Sequence, residues 1–365
     1  MSSVMGERIK LTIFGESHGP SIGVVMDGLP AGVELDLAAI EKEMKRRAPG
    51  SSKLATPRKE PDSFTLESGF FNGKTTGMAL CARIVNTNAH SKDYSKMKEI
   101  MRPGHGDYAG YVKFHGCNDY RGGGSFSGRL TAPLVFAGAV AKQLLSQKGV
   151  TVGAHVAALA GIRDKRFNPL GESAETLHSM AEETLPVLDP NVRDSMAQAV
   201  TAAQKEKDSV GGLIECMAIG LPVGLGEPYF DSVESRLSHA LFSVPAVKGI
   251  AFGDGFGLAE MRGSEANDPM EYRDGKVVCT SNHNGGITGG ITNGMPLVFT
   301  LVIKPTPSIA GTQHTVNVVT HENTTLEVTG RHDPCILPRA IPVVEAVTAW
   351  TLLDLFYMVE RGVGV

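Results

Sequence analysis

The chain has 365 residues, 42% hydrophobic and 20% charged, enough to bury a large core without disulfide or metal staples. Its 35 basic and 39 acidic residues leave a formal charge of −4, without the basic surplus of most nucleic-acid binders. No uncharged apolar run reaches the ~18 residues of a membrane span, MSSVMGERIKLTIFG lacks a signal-peptide core, and five widely spaced cysteines without a CxxC fit reduced thiols in a cytoplasmic protein.

The first strand-like runs are Ile9–Phe14 and Ser21–Asp27. Asp36 is placed to cap a helix through Leu37, Ile40 and Met44 that stops at Pro49-Gly50. Thr131–Lys148 reads as a helix, with Pro133 near its start and Gly149 just past its end. The next strand covers Thr151–Ala160. The motif-poor stretch from Arg163 to Asp208 reads as a helical excursion, with one helix opening at Asp189-Pro190 and running to about Lys207. Further strands are predicted at Gly212–Gly220, Pro296–Lys304, Val316–Thr320 and Thr325–Thr329. The last helix, Ala340–Glu360, is apolar nearly all round, which predicts burial and places Trp350 in the core. Strands and helices mix without a βαβ rhythm, which favours α+β or a sandwich over a doubly wound sheet. One domain over residues 1–365 is expected.

Glycine is the outlier, with 43 residues, about 12% of the chain against an average near 7%. Over half of them, 23, fall in windows 15–32, 104–128, 249–263 and 285–294, and the remaining chain is ordinary. Glycine lets a backbone take positive φ or approach a ligand closely. Four such windows read as loops that cradle something.

The chemistry-bearing segments lie in or beside those windows. They are Gly15-Glu16-Ser17-His18-Gly19, Arg102-Pro103-Gly104-His105-Gly106-Asp107-Tyr108, Tyr120 to Arg129, Ser281 to Gly290, and Gly330-Arg331-His332-Asp333-Pro334-Cys335. Glycine-rich turns make anion nests, Arg supplies a fixed fork for phosphate or carboxylate, and His moves a proton near neutral pH. Lys45-Arg46-Arg47, Lys53 and Arg58-Lys59 add positive charge to a helix end and the loop after it. Together these residues describe an enzyme for a multiply anionic small molecule. Gly15–Gly19 also matches GxSxG, which leaves a serine esterase using Ser17 as an alternative. Against it, the residues after Gly19 are strand-like, and no His has an Asp three residues before it. No HExxH occurs, and no metal site is expected.

In order and spacing, FGESHG, RPGHxDY, RGGGxxSGRxTA, SNHNGGITGG and GRHDPC resemble the chorismate synthase family, from about Gly15 to Pro342. The resemblance implies an α+β fold, a β-α-β sandwich of antiparallel sheets around central helices, assembled as a homotetramer. It implies an anti-1,4-elimination of phosphate from 5-enolpyruvylshikimate-3-phosphate to give chorismate, the last step of the shikimate pathway. Reduced FMN is required, although the reaction is redox-neutral overall. By the same resemblance His105 would protonate the leaving phosphate and His18 the reduced flavin. Asp333 would be the base that helps the flavin remove the C6 hydrogen.

The substrate's two carboxylates and phosphate cannot be buried unpaired, and Arg47, Lys53, Arg129 and Arg339 are the candidate cations. The family's flavin positions fall on Ser125, Phe126, Ser127, Pro245, Ala246, Gly289, Lys304, Pro305, Thr306, Pro307, Ser308 and Arg331. Its NADP positions fall on Lys53 and Lys59, read here as anion contacts, so that reduced flavin comes from an external source. Lys53 stands where the family usually has Arg, which makes a point charge of a fork. Ser125-Phe126-Ser127 replaces the frequent Arg-Ser-Ser, removing a cation and adding an aromatic wall. Gly106 replaces the usual Ala, which is expected to loosen the loop of His105. A non-catalytic flavin-binding scaffold is the remaining alternative, and neither nucleic acid nor membrane is an expected partner.

Overall fold

The computed structural model describes residues 3–50, 54, 60–87, 97–328 and 333–360. Its N-terminal part forms β1 (Val4–Met5), β2 (Lys10–Gly15), β3 (Ser21–Asp27), α1 (Leu37–Arg47), β4 (Phe64–Ser68), β5 (Phe70–Phe71), β6 (Lys74–Thr75) and β7 (Leu80–Val85). Asp36 caps α1 by accepting from the Ala39 N–H, as its position predicts, and Ala48 ends the helix just before Pro49. Five of the strands make an antiparallel sheet in the order β1-β2-β3-β7-β4. The β2–β3 register runs from Lys10↔Asp27 to Gly15↔Ile22, so residues 16–20 form the tip of this hairpin.

After α2 (Asp107–Lys113) comes α3 (Thr131–Ser146). The second sheet is built from β8 (Thr151–Leu159), β9 (Ile162–Arg163), β10 (Gly212–Ile219), β11 (Val247–Phe252) and β16 (Leu297–Ile303), in the antiparallel order β11-β16-β10-β8-β9. Between its strands lie α4 (Ala174–Glu182), α5 (Pro190–Lys205), α6 (Val233–Leu241), α7 (Gly263–Ala266) and the short hairpins β12–β13 (Met270–Arg273, Lys276–Cys279) and β14–β15 (Ile287–Thr288, Ile291–Thr292). The chain ends with β17 (Gln313–Asn317), β18 (Glu322–Leu326) and α8 (Leu337–Glu360).

Helices α1, α3 and α8 form the layer between the sheets, with α3 touching β3, β7 and β8 while α8 touches β8 and β10. This is the α+β, β-α-β sandwich. Gly138 of α3 lets the two long helices meet closely, because a Cβ there would lie 2.2 Å from Ala346 of α8. Trp350 is buried in α8 and donates its indole N–H to the Ile9 carbonyl. By length and composition α8 could span a bilayer, but 89% of its apolar window is buried inside the protein. It is the core helix. The 163–208 excursion covers the outer face of the second sheet, where Phe167 and Leu177 pack on Met217 and Val298.

The last hairpin departs from expectation. Its strands are Gln313–Asn317 and Glu322–Leu326, not Val316–Thr320 and Thr325–Thr329. The Asn317 side chain accepts from the Val319 and Thr320 N–H groups, and His321 takes φ +60°, so the apolar Val318-Val319 pair sits in the turn. Thr329 lies outside the described residues. Helix α8 begins three residues earlier than predicted, because Pro338 is tolerated in a first helical turn.

A buried ionic knot ties the helix layer together. Glu345 of α8, 1% exposed, accepts from Arg46 of α1 at 2.6 and 2.9 Å and from Lys142 of α3 at 2.6 Å, and Glu43 accepts from both cations. Burial alone would push the Glu345 carboxyl up, but Arg46 and Lys142 outweigh it and hold the group at about 2. A depressed carboxyl contributes stability above its unfolded value of 4.5 and loses it as pH falls toward about 2. Removing one member of a buried pair typically costs ~3–5 kcal/mol. Glu345→Gln should therefore lower the urea midpoint at pH 7 and flatten the loss of stability between about pH 4.5 and 2. An unchanged midpoint would refute a stabilising role.

Candidate active site

Segments from across the chain, with Arg47, Pro49 and Glu60, converge around a cavity of ≈ 580 Å³, a volume typical of small-molecule sites. The segments are the β2–β3 tip at Ser17, the loop 102–106, the turn 122–131, the α6–β11 connection 242–248, the chain after β16 at 304–308, and the stretch 333–343 that leads into α8.

His105 is held by its neighbours. Its Nδ1 lies 2.6 Å from Asp107 Oδ1, too close for two lone pairs, so a proton sits between them and Nε2 is left to act on a ligand. Arg102 grips the same carboxylate through Nε at 2.7 Å and Nη2 at 2.8 Å, and its Nη1 donates to Ser308 at 3.1 Å. Burial opposes the Asp107 charge, but hydrogen bonds from Arg102 and His105 hold it well below the usual carboxylate range. Lys304 Nζ donates to the Gly104 carbonyl at 3.0 Å, tying the end of β16 to the same loop.

Gly122, Gly123 and Gly124 all take positive φ, at 60°, 84° and 52°. This backbone runs against both candidate histidines. A Cβ on Gly122 would lie 2.4 Å from the His18 ring, and one on Gly123 3.3 Å from His105 Nε2. The Gly124 carbonyl accepts from the Ser17 N–H, which joins the turn to the hairpin tip. Ser17 is succeeded by a turn and then β3, a strand–turn–strand setting rather than the strand–turn–helix of a nucleophile elbow.

Phe126 and Gly106 fit one another. The Phe126 ring fills the notch above α2, where a Cβ on Gly106 or Gly110 would approach it to 2.9 and 2.5 Å. Gly106 thus makes room for an aromatic ring that fills the loop, rather than loosening it.

The arginines are already engaged. Arg47, 1% exposed, binds Asp62 through Nε at 2.6 Å and Nη2 at 2.9 Å, and donates to Gly128 and Thr131. Arg129 also donates to Asp62, reaches Asn86 at 3.1 Å, and lies 3.6 Å from Glu60. Arg339 Nη1 donates to Asp333 at 2.9 Å and its Nε to the Arg47 carbonyl at 3.1 Å. Arg47 and Arg129 thus border the cavity but are largely satisfied by protein.

Of the predicted residues, the cavity wall brings together His105, Ser125, Phe126, Ser127, Arg47, Arg129, Pro245, Ala246, Lys304, Thr306, Pro307, Ser308, Asp333 and Arg339. His18 lies just behind Gly122. Pro305 is not part of the wall, and Gly289 sits in the β14–β15 turn away from it. Lys53, Lys59 and Arg331 lie outside the described residues. The SNHNGGITGG segment also builds structure away from the cavity, where Asn282 bridges the Pro169 and Pro296 carbonyls and His283 pairs with Asp254 at 2.6 Å. Sequence reasoning missed the acids that engage the arginines, Glu60 and Asp62, and it missed Lys248, which lines the cavity two residues after Ala246.

This is an enzyme cavity, with a supported histidine and clustered cations on its wall. The family model for chorismate synthase matches residues 9–357. Curated relatives named chorismate synthase include one from Dehalococcoides mccartyi, 45% identical over 97% of this chain and 96% of its own length. Another, from Methanosarcina mazei, is 45% identical over 99% and 97%. A solved structure titled "Crystal Structure of Chorismate Synthase" superposes with TM-score 0.76 at 27% identity, covering 97% of this chain and 93% of that one. The chain belongs to the chorismate synthase family.

The Gly106–Phe126 fit is testable by a double-mutant cycle. Gly106→Ala should destabilise by ~1–3 kcal/mol through overpacking. Adding Phe126→Ser should relieve part of that cost, with an interaction energy of ~0.5–3 kcal/mol in urea unfolding. Strict additivity would mean that the ring and the glycine do not share the space.

Proposed function

We propose that this chain converts 5-enolpyruvylshikimate-3-phosphate to chorismate by anti-1,4-elimination of phosphate, with reduced FMN as cofactor. The observation that carries the reading is the meeting of His105, the Asp333–Arg339 pair and the segments 125–127 and 304–308 in one cavity, in a chain of the chorismate synthase family. The wall also fits a flavin mononucleotide. Phe126 and Pro245-Ala246 offer apolar surface, and Thr306 Oγ1 is buried with no protein partner among the described residues. A buried orphan hydroxyl is costly unless a ligand satisfies it.

When bound, reduced FMN would supply the electron-rich partner that the elimination requires. The protein's part is proton placement and charge. His105 Nε2, with Nδ1–H fixed on Asp107, would deliver a proton to the departing phosphate. His18, behind Gly122, would hold a second proton for the cofactor side. The Asp333 carboxylate, oriented by Arg339, would help take up the C6 proton. Arg339 and the lysines would offset substrate charge. By the same reading the enzyme is a cytoplasmic homotetramer that receives reduced flavin from an external source, and its NADP-type positions Lys53 and Lys59 serve as anion contacts.

Anaerobic incubation with 5-enolpyruvylshikimate-3-phosphate and reduced FMN should release inorganic phosphate, and no release would exclude the reading. His105→Ala and His18→Ala should each lower turnover by ~10²–10⁴ with folding nearly intact. Near-normal turnover in either variant would remove the role assigned to that residue.

A further inference from the structure

Away from the cavity, a cluster of buried titratable groups lies on the outer face of the second sheet, under the 163–208 excursion. His155 of β8 and Glu215 of β10 stand opposite each other in the antiparallel register. His155 is 0% exposed, and each of its ring nitrogens meets a carboxylate. Nε2 lies 3.0 Å from Glu215 Oε2, and Nδ1 lies 3.1 Å from Asp164 Oδ2. The Phe167 ring covers the imidazole in a T-shaped contact, with centroids 4.4 Å apart.

Both carboxylates also hold the chain that crosses this face. Asp164 accepts from the Leu188 and Asp189 N–H groups at 2.6 and 2.9 Å. Glu215 accepts from the Phe167 N–H at 2.7 Å and from Arg166 Nε at 3.1 Å. Such donors favour ionised carboxylates. A neutral imidazole has one N–H and one lone pair, so here it would turn that lone pair on a carboxylate oxygen. An imidazolium donates to both. It also balances the charge, with His155 and Arg166 set against Asp164 and Glu215. Loss of its proton would leave excess negative charge in a buried site. Burial opposes the imidazolium, but Asp164 and Glu215 outweigh it and raise the ring above its ordinary value. No other charged side chain pairs with the ring among the described residues. Glu175, His178 and Glu182 ride on α4 over β8 without an ion pair to it, and Lys142 and Glu345 lie on the other face of the sheet, near Cys216.

Arg166 carries the cluster outward. It donates to Asp254 Oδ1 and to the Gly253 carbonyl, both at 3.0 Å, and Asp254 pairs with His283. The SNHNGGITGG motif and the glycine window 249–263, which the cavity leaves unused, are thereby tied to the same cluster.

We propose that His155 is a proton-operated clasp, which as an imidazolium fastens residues 164–167 and 186–189 to the second sheet and on deprotonation at alkaline pH releases them. The inference does not rest on the proposed function. A proton held more tightly in the folded state stabilises fully below the unfolded value of 6.5, and that contribution is lost as pH rises through the raised folded value. The clasp is therefore tight under mildly acidic conditions and slack under alkaline ones.

Hydrogen–deuterium exchange of the full chain, corrected for the pH dependence of the chemical exchange rate, tests this in steps from about pH 6 to about pH 9.5. In the wild type, protection of peptides covering 164–167 and 186–189 should fall about tenfold per pH unit above 6.5 until the ring has lost its proton, while peptides of α8 keep theirs. His155→Gln removes the titrating group, so the same peptides should be less protected at about pH 6 and show no such slope. Arg166→Gln changes a side chain that is 54% exposed, so it should fold even if His155→Gln does not. It takes the second cation out of the cluster, which strengthens the hold on the His155 proton, so the slope should extend to higher pH. Flat protection in the wild type would overturn the proposal. So would a slope that survives in His155→Gln, or one that ends at the same pH in Arg166→Gln as in the wild type.

Discussion

Everything in the cavity is arranged around a backbone that no side chain could replace. Gly122 to Gly124 run in left-handed conformations against the rings of His18 and His105, and Gly124 closes on the Asp119 carbonyl and the hairpin tip. A Cβ at Gly124 would lie 1.9 Å from the Asp119 oxygen, so the turn is fixed sterically as well as by φ. The chain then enters α3, the helix that separates the two sheets. One turn therefore couples the core layer to both candidate proton carriers.

Charge is handled in two ways. In the core, Glu345, Arg46 and Lys142 are buried and mutually satisfied, and they join three helices. At the cavity, Asp62 holds Arg47 and Arg129, which border it but have few donors left for a ligand. These acids keep planar forks oriented in the absence of ligand, which lowers the ordering cost of binding. The surplus positive charge is on lysine ammonium groups, which are compact and rotatable.

Local features are legible in the sequence. Asp36, Ser21–Asp27 and Asp189-Pro190 each carry a cap, a period or a punctuation residue, and each forms the element that signal implies. The clustering of glycine beside His and Arg marks the segments 15–19 and 104–129 that meet at the cavity. Pairing across the chain is not legible in the same way. Nothing near Arg129 announces Asp62, 67 residues away, and nothing near His155 announces Glu215, 60 residues away, which fixes a buried histidine on the outer face of the second sheet. Lys248 is hidden because its direction depends on a bulge defined by a neighbouring strand. The hairpin after residue 312 misleads because two valines suggest a strand where Asn317 makes a turn. The SNHNGGITGG motif is as dense as the others, yet in this chain its side chains join loops away from the cavity.

The central claim is that a single cavity receives both the phosphate-bearing substrate and the flavin. It is tested most directly by a crystal structure of the chain with oxidised FMN and 5-enolpyruvylshikimate-3-phosphate. The account predicts both ligands in this cavity, with the substrate ring between His105 and Asp333, its phosphate in reach of His105 Nε2, and the flavin against Phe126 and Pro245-Ala246. Ordered ligands at another place on the protein, with this cavity empty, would contradict it.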